Sequence, residues 1–299
     1  MQLLVERLAK IERLARGSIF DRLLSDPLRY VAAIGFWRFI YPMTKKGKFA
    51  QARTFFGADM EVILPSATEI YLFGAKTHDS EIRLARFLMK NLKSGDTFCD
   101  VGAHFGYFSL LASQIVGTGG RVISFEASKS TFGILQKNTH AHPNVTPVHR
   151  AASDEDKTLV FNEFPPLYSE YNSLVPEADA AWMKGNPARP IEVQGVRLSD
   201  FFETNKLKPG HIKIDVEGAE PQVLAGLRGH LEVDSPVIIM EYLISSGQSE
   251  AHRVAAGFLQ KAGYQSFTIK NDGSLGACPD IEMAMKEIGL DSDNIVFRR

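Results

Sequence analysis

Residues 98–109 read FCDVGAHFGYFS, and they fix the kind of fold this chain adopts. The apolar run at 97–101 stops at Gly102, and 107–116 resumes with Tyr107, Leu110, Leu111 and Ile115 at helical spacing. That pattern predicts a strand, a turn and a helix. Gly102 and Gly106 bracket the turn, where missing side chains permit unusual φ and let a ligand approach the backbone, while the helix start presents free N–H groups. Asp100 precedes Gly102 by two residues. The dinucleotide fingerprint Gly-x-Gly-x-x-Gly would need glycine at 100 or 104, which hold Asp100 and His104. A carboxylate there repels a pyrophosphate but suits a ligand carrying an ammonium and a sulfonium, as S-adenosylmethionine does.

Working outward, 121–125 reads as a second strand ending in Glu126, twenty residues beyond Gly106. In doubly wound folds a carboxylate at the tip of that strand accepts the hydroxyl hydrogen bonds of a ribose. Upstream, 80–92 is an amphipathic helix with Asp79 or Ser80 as its expected cap. Downstream, helix and strand alternate: 130–139, 144–148, 158–161, 191–196, 199–205, 211–216, 221–231, 236–242, 250–262, 264–270 and 294–297. Such alternation implies a mostly parallel sheet covered by helices on both faces, with ligands at the carboxyl ends of the strands. Residues 163–190 break the rhythm and are expected to form a substrate lid, with Tyr168, Tyr171, Asn172 and Trp182 able either to meet a sugar or to pack the loop down.

The second informative stretch is 211–220, HIKIDVEGAE. Ile212, Ile214 and Val216 alternate with Lys213 and Asp215, although buried parallel strands are usually apolar on both faces. Charges on a central strand cost desolvation energy and are tolerated where they meet a partner or a ligand. Either a structural Lys213–Asp215 pair or a reactive site follows, and the strand end, with Glu217 next, favours the site. Glu241, at the tip of the 236–242 strand, is a further candidate for binding acceptor hydroxyls. Asp215, Glu217 and Glu241 offer hard oxygens for Mg²⁺ if they converge; sequence does not decide convergence, and no metal is assigned.

Composition bounds the rest. The 299 residues are 44% hydrophobic with net charge −1, so a full core can form and nothing global argues for nucleic acid. Cys99 and Cys278 are the two cysteines, which argues against a disulfide scaffold or thiolate zinc site and fits a reducing, cytoplasmic setting. No uninterrupted apolar stretch approaches the roughly 18 residues of a membrane span, and the first residues lack a signal-peptide core. Residues 1–50 nevertheless hold ten Lys or Arg against four Asp or Glu. Leu4, Leu8, Ile11 and Ala15 make one helical face, expected to pack on the domain or on a second subunit, as in a homodimer; weak contact of this basic segment with a membrane surface is the alternative. The expected division is an N-terminal helical extension at 1–60 and a catalytic domain at 61–299.

The segments TFCDVGAHFGYFSLLA, VISFEAS, VHRAASDEDKTLVF and IKIDVEGAEPQVLAGL, in this order, resemble the FkbM-type class I S-adenosylmethionine-dependent methyltransferases over roughly 70–299. The Lys-Ile-Asp-Val-Glu-Gly-x-Glu stretch is the distinctive part. The resemblance implies a doubly wound, mostly parallel, seven-stranded Rossmann-like α/β sheet with a reversed last strand, so that 294–297 becomes an edge or inserted antiparallel strand. It implies O-methylation of hydroxyls on sugars, glycans, polyketides or related metabolites. By motif, Gly102 and Gly106 would lie beneath the methionine portion, Asp100 near its ammonium, Glu126 at the ribose and Ala151 against the adenine. Asp215 and Glu217 would face the methyl group and acceptor. Glu81 matches an acid that opens the preceding helix in the family, or is simply a helix-start charge. His104 departs from the family's frequent Asn, and either keeps the turn's hydrogen bond or approaches the substrate.

An alcohol is a poor nucleophile until its proton is removed. Asp215 is the first choice for that base, with Glu217 and His104 behind it and Lys213 orienting Asp215. Three other readings compete: a nicotinamide-dependent oxidoreductase, which Asp100 opposes; a non-catalytic methyltransferase-like binding domain; and an RNA or protein methyltransferase, the RNA form disfavoured by neutral charge.

Overall fold

A computed structural model describes residues 1–175, 185–245 and 247–299. The chain opens with helices α1 (Gln2–Arg16), α2 (Ile19–Ser25) and α3 (Pro27–Gly35), which runs through a π-helical turn at Phe36–Ile40 into α4 (Tyr41–Thr44). Ser18 and Asp21 form a reciprocal capping box for α2, and Asp26 caps α3 with Pro27 at its first position. The face expected on α1 packs on the domain: Leu8 is fully buried in the main core, with Leu4 and Ile11 partly so. Arg86 pairs with Glu12, and Arg16 with Asp79 at 2.8 Å.

The helices end at Thr44. A hairpin follows, β1 (Lys48–Arg53) and β2 (Asp59–Leu64), so the expected boundary at residue 60 falls inside a strand. Ala52, Met60 and Val62 of this hairpin join the same core as Phe87, Phe98 and Leu110 of the domain. The extension is therefore packed on the domain through this shared core, beside a small cluster at Phe36, Tyr41 and Leu64.

After α5 (Thr68–Phe73) and α6 (Asp79–Asn91) the alternation begins: β3 (Thr97–Val101), α7 (Tyr107–Val116), β4 (Arg121–Phe125), α8 (Lys129–Thr139) and β5 (Val145–Val148). The α6 cap position is His78, with no side-chain capping bond, instead of Asp79 or Ser80; the Asp79 carboxylate is taken by Arg16, and the Ser80 hydroxyl by His78 at 2.7 Å. A small sheet comes next, β6 (Ala151–Ala152), β7 (Thr158–Glu163) and β8 (Arg189–Val196), in the order β6-β8-β7. Then come α9 (Leu198–Thr204), β9 (His211–Ile214), α10 (Glu220–Val233), β10 (Val237–Leu243), α11 (Ser249–Lys261), β11 (Gln265–Ile269), β12 (Leu275–Ala277), α12 (Ile281–Glu287) and β13 (Ser292–Arg298).

The central sheet has the order β12-β11-β13-β10-β9-β3-β4-β5. β5, β4, β3, β9 and β10 are parallel, and β13 inserts antiparallel between β10 and β11. The segment at 294–297 is thus inserted and not an edge. Eight strands replace the expected seven, because the turn at 270–274 lets β12 fold back antiparallel on β11. Two apolar layers, one on each face, bury the sheet, as expected for a doubly wound α/β fold. Between β3 and β4 the chain crosses over through α7, so the carboxyl ends of β3, β4, β9 and β10 all open on one side.

Candidate active site

At that side lies a cavity of about 430 Å³, bounded by the Gly102–Gly106 turn, the ends of β4, β9 and β10, and part of the 163–190 segment. Gly102 has φ +79, and a Cβ there would sit 1.8 Å from the Asp215 carbonyl oxygen, so only glycine fits against the loop after β9. Gly106, φ +89, ends the turn at the start of α7, where a Cβ would meet Leu135 at 2.7 Å. The backbone N–H groups of Gly102 and Ala103 donate to the Phe125 carbonyl, locking the turn onto β4.

Glu126 follows β4 and accepts two backbone hydrogen bonds, from His104 N and Ser128 N, each 2.9 Å. Burial pushes its carboxyl up to about 7 despite those donors. Each oxygen keeps a second lone pair for a ligand hydroxyl. Asp100 is buried at the end of β3: the Ser109 hydroxyl donates to its Oδ2 at 2.6 Å, while Oδ1 has no hydrogen bond and lies 3.8 Å from Lys213 Nζ. An acceptor atom left open on the cavity wall suits an ammonium donor. Ala151, on β6, also lines the cavity.

On the β9 side, Lys213 Nζ donates to Asp215 Oδ2 at 2.9 Å. Burial works against the Lys213 charge, but Asp215 and then Asp100 outweigh it and raise its pKa. Burial likewise pushes Asp215 up, and Lys213 with Lys76 overcomes it, leaving that carboxyl below its usual range. Asp215, Glu217 and Glu241 do converge, each offering an oxygen within 4.8 Å of the others. Burial, then the neighbouring acids, drives Glu217 and Glu241 well above the ordinary carboxylate range. Three oxygens so placed could hold a divalent cation. Lys213 already neutralises part of the cluster, and protons can neutralise more of it.

Glu81 lines the same cavity from α6, paired with Lys76 at 3.4 Å; Lys76 also lies 3.6 Å from Glu170. Burial raises the Glu81 pKa, with Lys76 acting against it. His104 sits at φ +50, its Nε2 3.0 Å from the Ser169 hydroxyl, and burial lowers its pKa to about 4. The imidazole is neutral at pH 7.

Part of the 163–190 segment, expected as a lid, borders the cavity. A short 3₁₀ turn, Pro166–Tyr171, brings Ser169, Glu170 and Tyr171 to its wall, and Ser173 donates to the Glu217 carbonyl at 2.5 Å. Asn172 lines the cavity too, but its side-chain oxygen accepts from Phe164 N at 2.7 Å, which packs the loop down. Tyr168 stands beside Tyr171 without lining the cavity. Trp182 lies outside the described residues.

Glu81, Asp100, Gly102, His104, Glu126, Ala151, Lys213, Asp215, Glu217 and Glu241 thus border one cavity, whereas Gly106, also expected at the site, does not line it. Lys76 and Glu170 were not foreseen, since neither carries a spacing signal. Nor was the role of Glu220, the last acid of the HIKIDVEGAE stretch: it is buried, accepts from Val216 N at 3.2 Å, and faces His252 of α11 at 3.3 Å. Its position in the motif was the available signal.

A sheet of this topology, with a glycine turn after β3, an acid after β4 and a charged end to β9, is the arrangement that the resemblance implied. A family model for the methyltransferase FkbM domain matches residues 100–266, more than half of the chain, which belongs to this family. The chain is 24% identical to the hexuronic acid methyltransferase AglP of Haloferax volcanii, over 52% of this chain and 59% of that protein. It is 29% identical to methyltransferase 1 of Beauveria bassiana, over 62% of this chain and 78% of that one. To the 31-O-demethyl-FK506 methyltransferase FkbM of Streptomyces tacrolimicus it is 28% identical, over 46% and 61%. The match thus spans about six-tenths of the length of the first and third. The chain carries a methyltransferase domain of this family, whose cofactor is S-adenosylmethionine. The open Asp100 acceptor and the twice-braced Glu126 fit that ligand's ammonium and ribose.

Proposed function

We propose that this protein O-methylates a hydroxyl on a sugar, glycan, polyketide or related small metabolite. The observation that carries the reading is the convergence of Asp215, Glu217 and Glu241 beside the Gly102 turn. The names of two relatives, a hexuronic acid and an FK506 methyltransferase, support the same acceptor class.

Bound S-adenosylmethionine supplies an electrophilic methyl group on a sulfonium that is already a good leaving group. The protein's tasks are to hold the acceptor oxygen in line and to receive its proton. Gly102 and Gly106 let the donor lie on the backbone, Asp100 takes the ammonium, Glu126 the ribose and Ala151 the adenine. Lys213 fixes Asp215, whose lowered pKa makes it a weak base and a good orienting acceptor. Glu217 and Glu241 titrate together with it as one unit. Burial, reinforced by the neighbouring acids, holds a proton on one of this pair, and the ionised partner is more basic than an isolated carboxylate. That partner accepts the hydroxyl proton as the new O–C bond forms. Glu81, through Lys76 and Glu170, sets the lid over the acceptor. Neutral His104 anchors the lid through Ser169 and is a minor candidate for the base. No metal enters this account.

The first test is calorimetric titration with S-adenosylmethionine, S-adenosylhomocysteine and NADH, on wild type and Gly102→Trp. Saturable binding of both sulfur ligands, lost in the variant, is expected; NADH binding in their place would revive the oxidoreductase reading. Methyl ether formation on a panel of uronic acids, glycans and polyketides then checks the acceptor. Donor binding without turnover on any hydroxyl, with an intact fold, would favour a non-catalytic binding domain. The two cysteines are buried free thiols, which suits a reducing, cytoplasmic setting.

A further inference from the structure

Residues 27–44 are apolar on two sides. One side is used: Phe36 and Tyr41 pack with Leu64, joined by Tyr71 and Leu167. The other is bare. Leu28, Val31, Phe39 and Met43 recur along the helix at turn-like intervals, and Leu28 and Met43 are each 86% exposed, Phe39 70%. Ile40 and Trp37 flank them, and Ile19, Phe20 and Leu24 of α2 extend the exposed apolar set. Water-facing helices are polar on the outside, and single-chain globular proteins rarely expose a large contiguous apolar patch.

The charge around this stripe selects what covers it. Residues 27–48 contain Arg29, Arg38, Lys45, Lys46 and Lys48, and no Asp or Glu. Arg29 turns inward to the Tyr71 and Gln51 carbonyls, while Arg38 and the three lysines stay exposed. A twofold contact with a second copy would bring these cations together, while the nearby acids Asp21 and Asp26 are engaged by Ser18 and Arg29. An anionic lipid surface answers them directly, and buries Phe39 and Met43 at the headgroup boundary with Trp37 at the interface. No helix among the described residues is long and apolar enough to cross a membrane.

We propose that the bare face of residues 27–44 seats the protein on the surface of an anionic membrane. The surface is coupled to the cavity: the Tyr41 hydroxyl accepts from Leu167 N at 3.2 Å, and two to four residues further on Ser169, Glu170 and Tyr171 form the cavity wall. Seating thus places the acceptor entrance beside the bilayer.

The test is sedimentation of the full-length protein with phosphatidylcholine vesicles, with and without phosphatidylglycerol. Binding to the anionic vesicles alone, weakened by salt, is expected. Lys45→Gln with Lys46→Gln should weaken it roughly 30-fold, at about one kcal/mol per lysine. Phe39→Glu with Met43→Glu should abolish it, while affinity for S-adenosylhomocysteine, which reports the fold and the methyltransferase reading separately, is unchanged. No binding to anionic vesicles would overturn the proposal. So would equal, salt-insensitive binding to neutral vesicles, or a dimer in sedimentation velocity that Phe39→Glu dissociates.

Discussion

The side of the cavity proposed for the donor is built from residues close in sequence, and the side proposed for the acceptor from residues far apart. Gly102, Gly106 and Glu126 lie within 25 residues and are tied by backbone hydrogen bonds between one turn and one strand end. Asp215 and Glu217, Glu241, Lys76 and Glu170 come from four separate segments, and the charges of Lys76 and Lys213 offset the acids among them. A backbone-built site tolerates no change of shape. A charge-built site tolerates shape change better than loss of balance, because each buried charge depends on its neighbours.

That contrast can be broken experimentally, most strongly on the donor side. Gly102→Ala forces a Cβ onto the Asp215 carbonyl, and donor affinity should fall about 100-fold or more, as for ångström-scale misplacement of a site. Retained affinity would mean the turn can relax. On the charge-built side, Lys213→Met leaves Asp100 and Asp215 without their cation, and stability should drop by about 3 kcal/mol in chemical denaturation. Glu241→Gln should lower kcat about 100-fold, with donor affinity unchanged, as for loss of a general base; an unchanged kcat would move the base to Glu217 or Asp215.

A pH series sharpens the comparison further. The Glu126 carboxyl, raised to about 7, is protonated below that pH and loses the charge that accepts ribose hydroxyls. Donor affinity should therefore fall as pH drops, approaching about tenfold per pH unit well below 7, and level off above it. Glu126→Gln should bind weakly with a flat profile. The smallest effect is expected for Ser169→Ala, which removes one hydrogen bond to His104: about fivefold in acceptor KM, with donor affinity unchanged.

Legibility in the sequence follows the same division. The turn at 102–106 and the position of Glu126 at the end of β4 could be read because they depend on local spacing, and local spacing is what a sequence prints. The polar alternation at Lys213 and Asp215 was legible as an anomaly on a buried strand. Lys76 and Glu170 were not, since what brings them to the site is their pairing with each other across distant parts of the chain. The edge strand Leu275–Ala277 escaped because three residues carry too little periodicity, and the His78 cap because Asp79 had a competing partner in Arg16.

By itself, the sequence determined the doubly wound α/β class, the order of its main elements, the glycine turn and the family, because hydrophobic period and glycine spacing act over a few residues. Only the tertiary structure decided that the three carboxylates converge, that Glu220 meets His252 behind them, that β13 inserts between β10 and β11, and that one face of residues 27–44 is left bare. Those outcomes depend on which distant surfaces meet, and desolvation and charge pairing set them only once the chain has closed on itself.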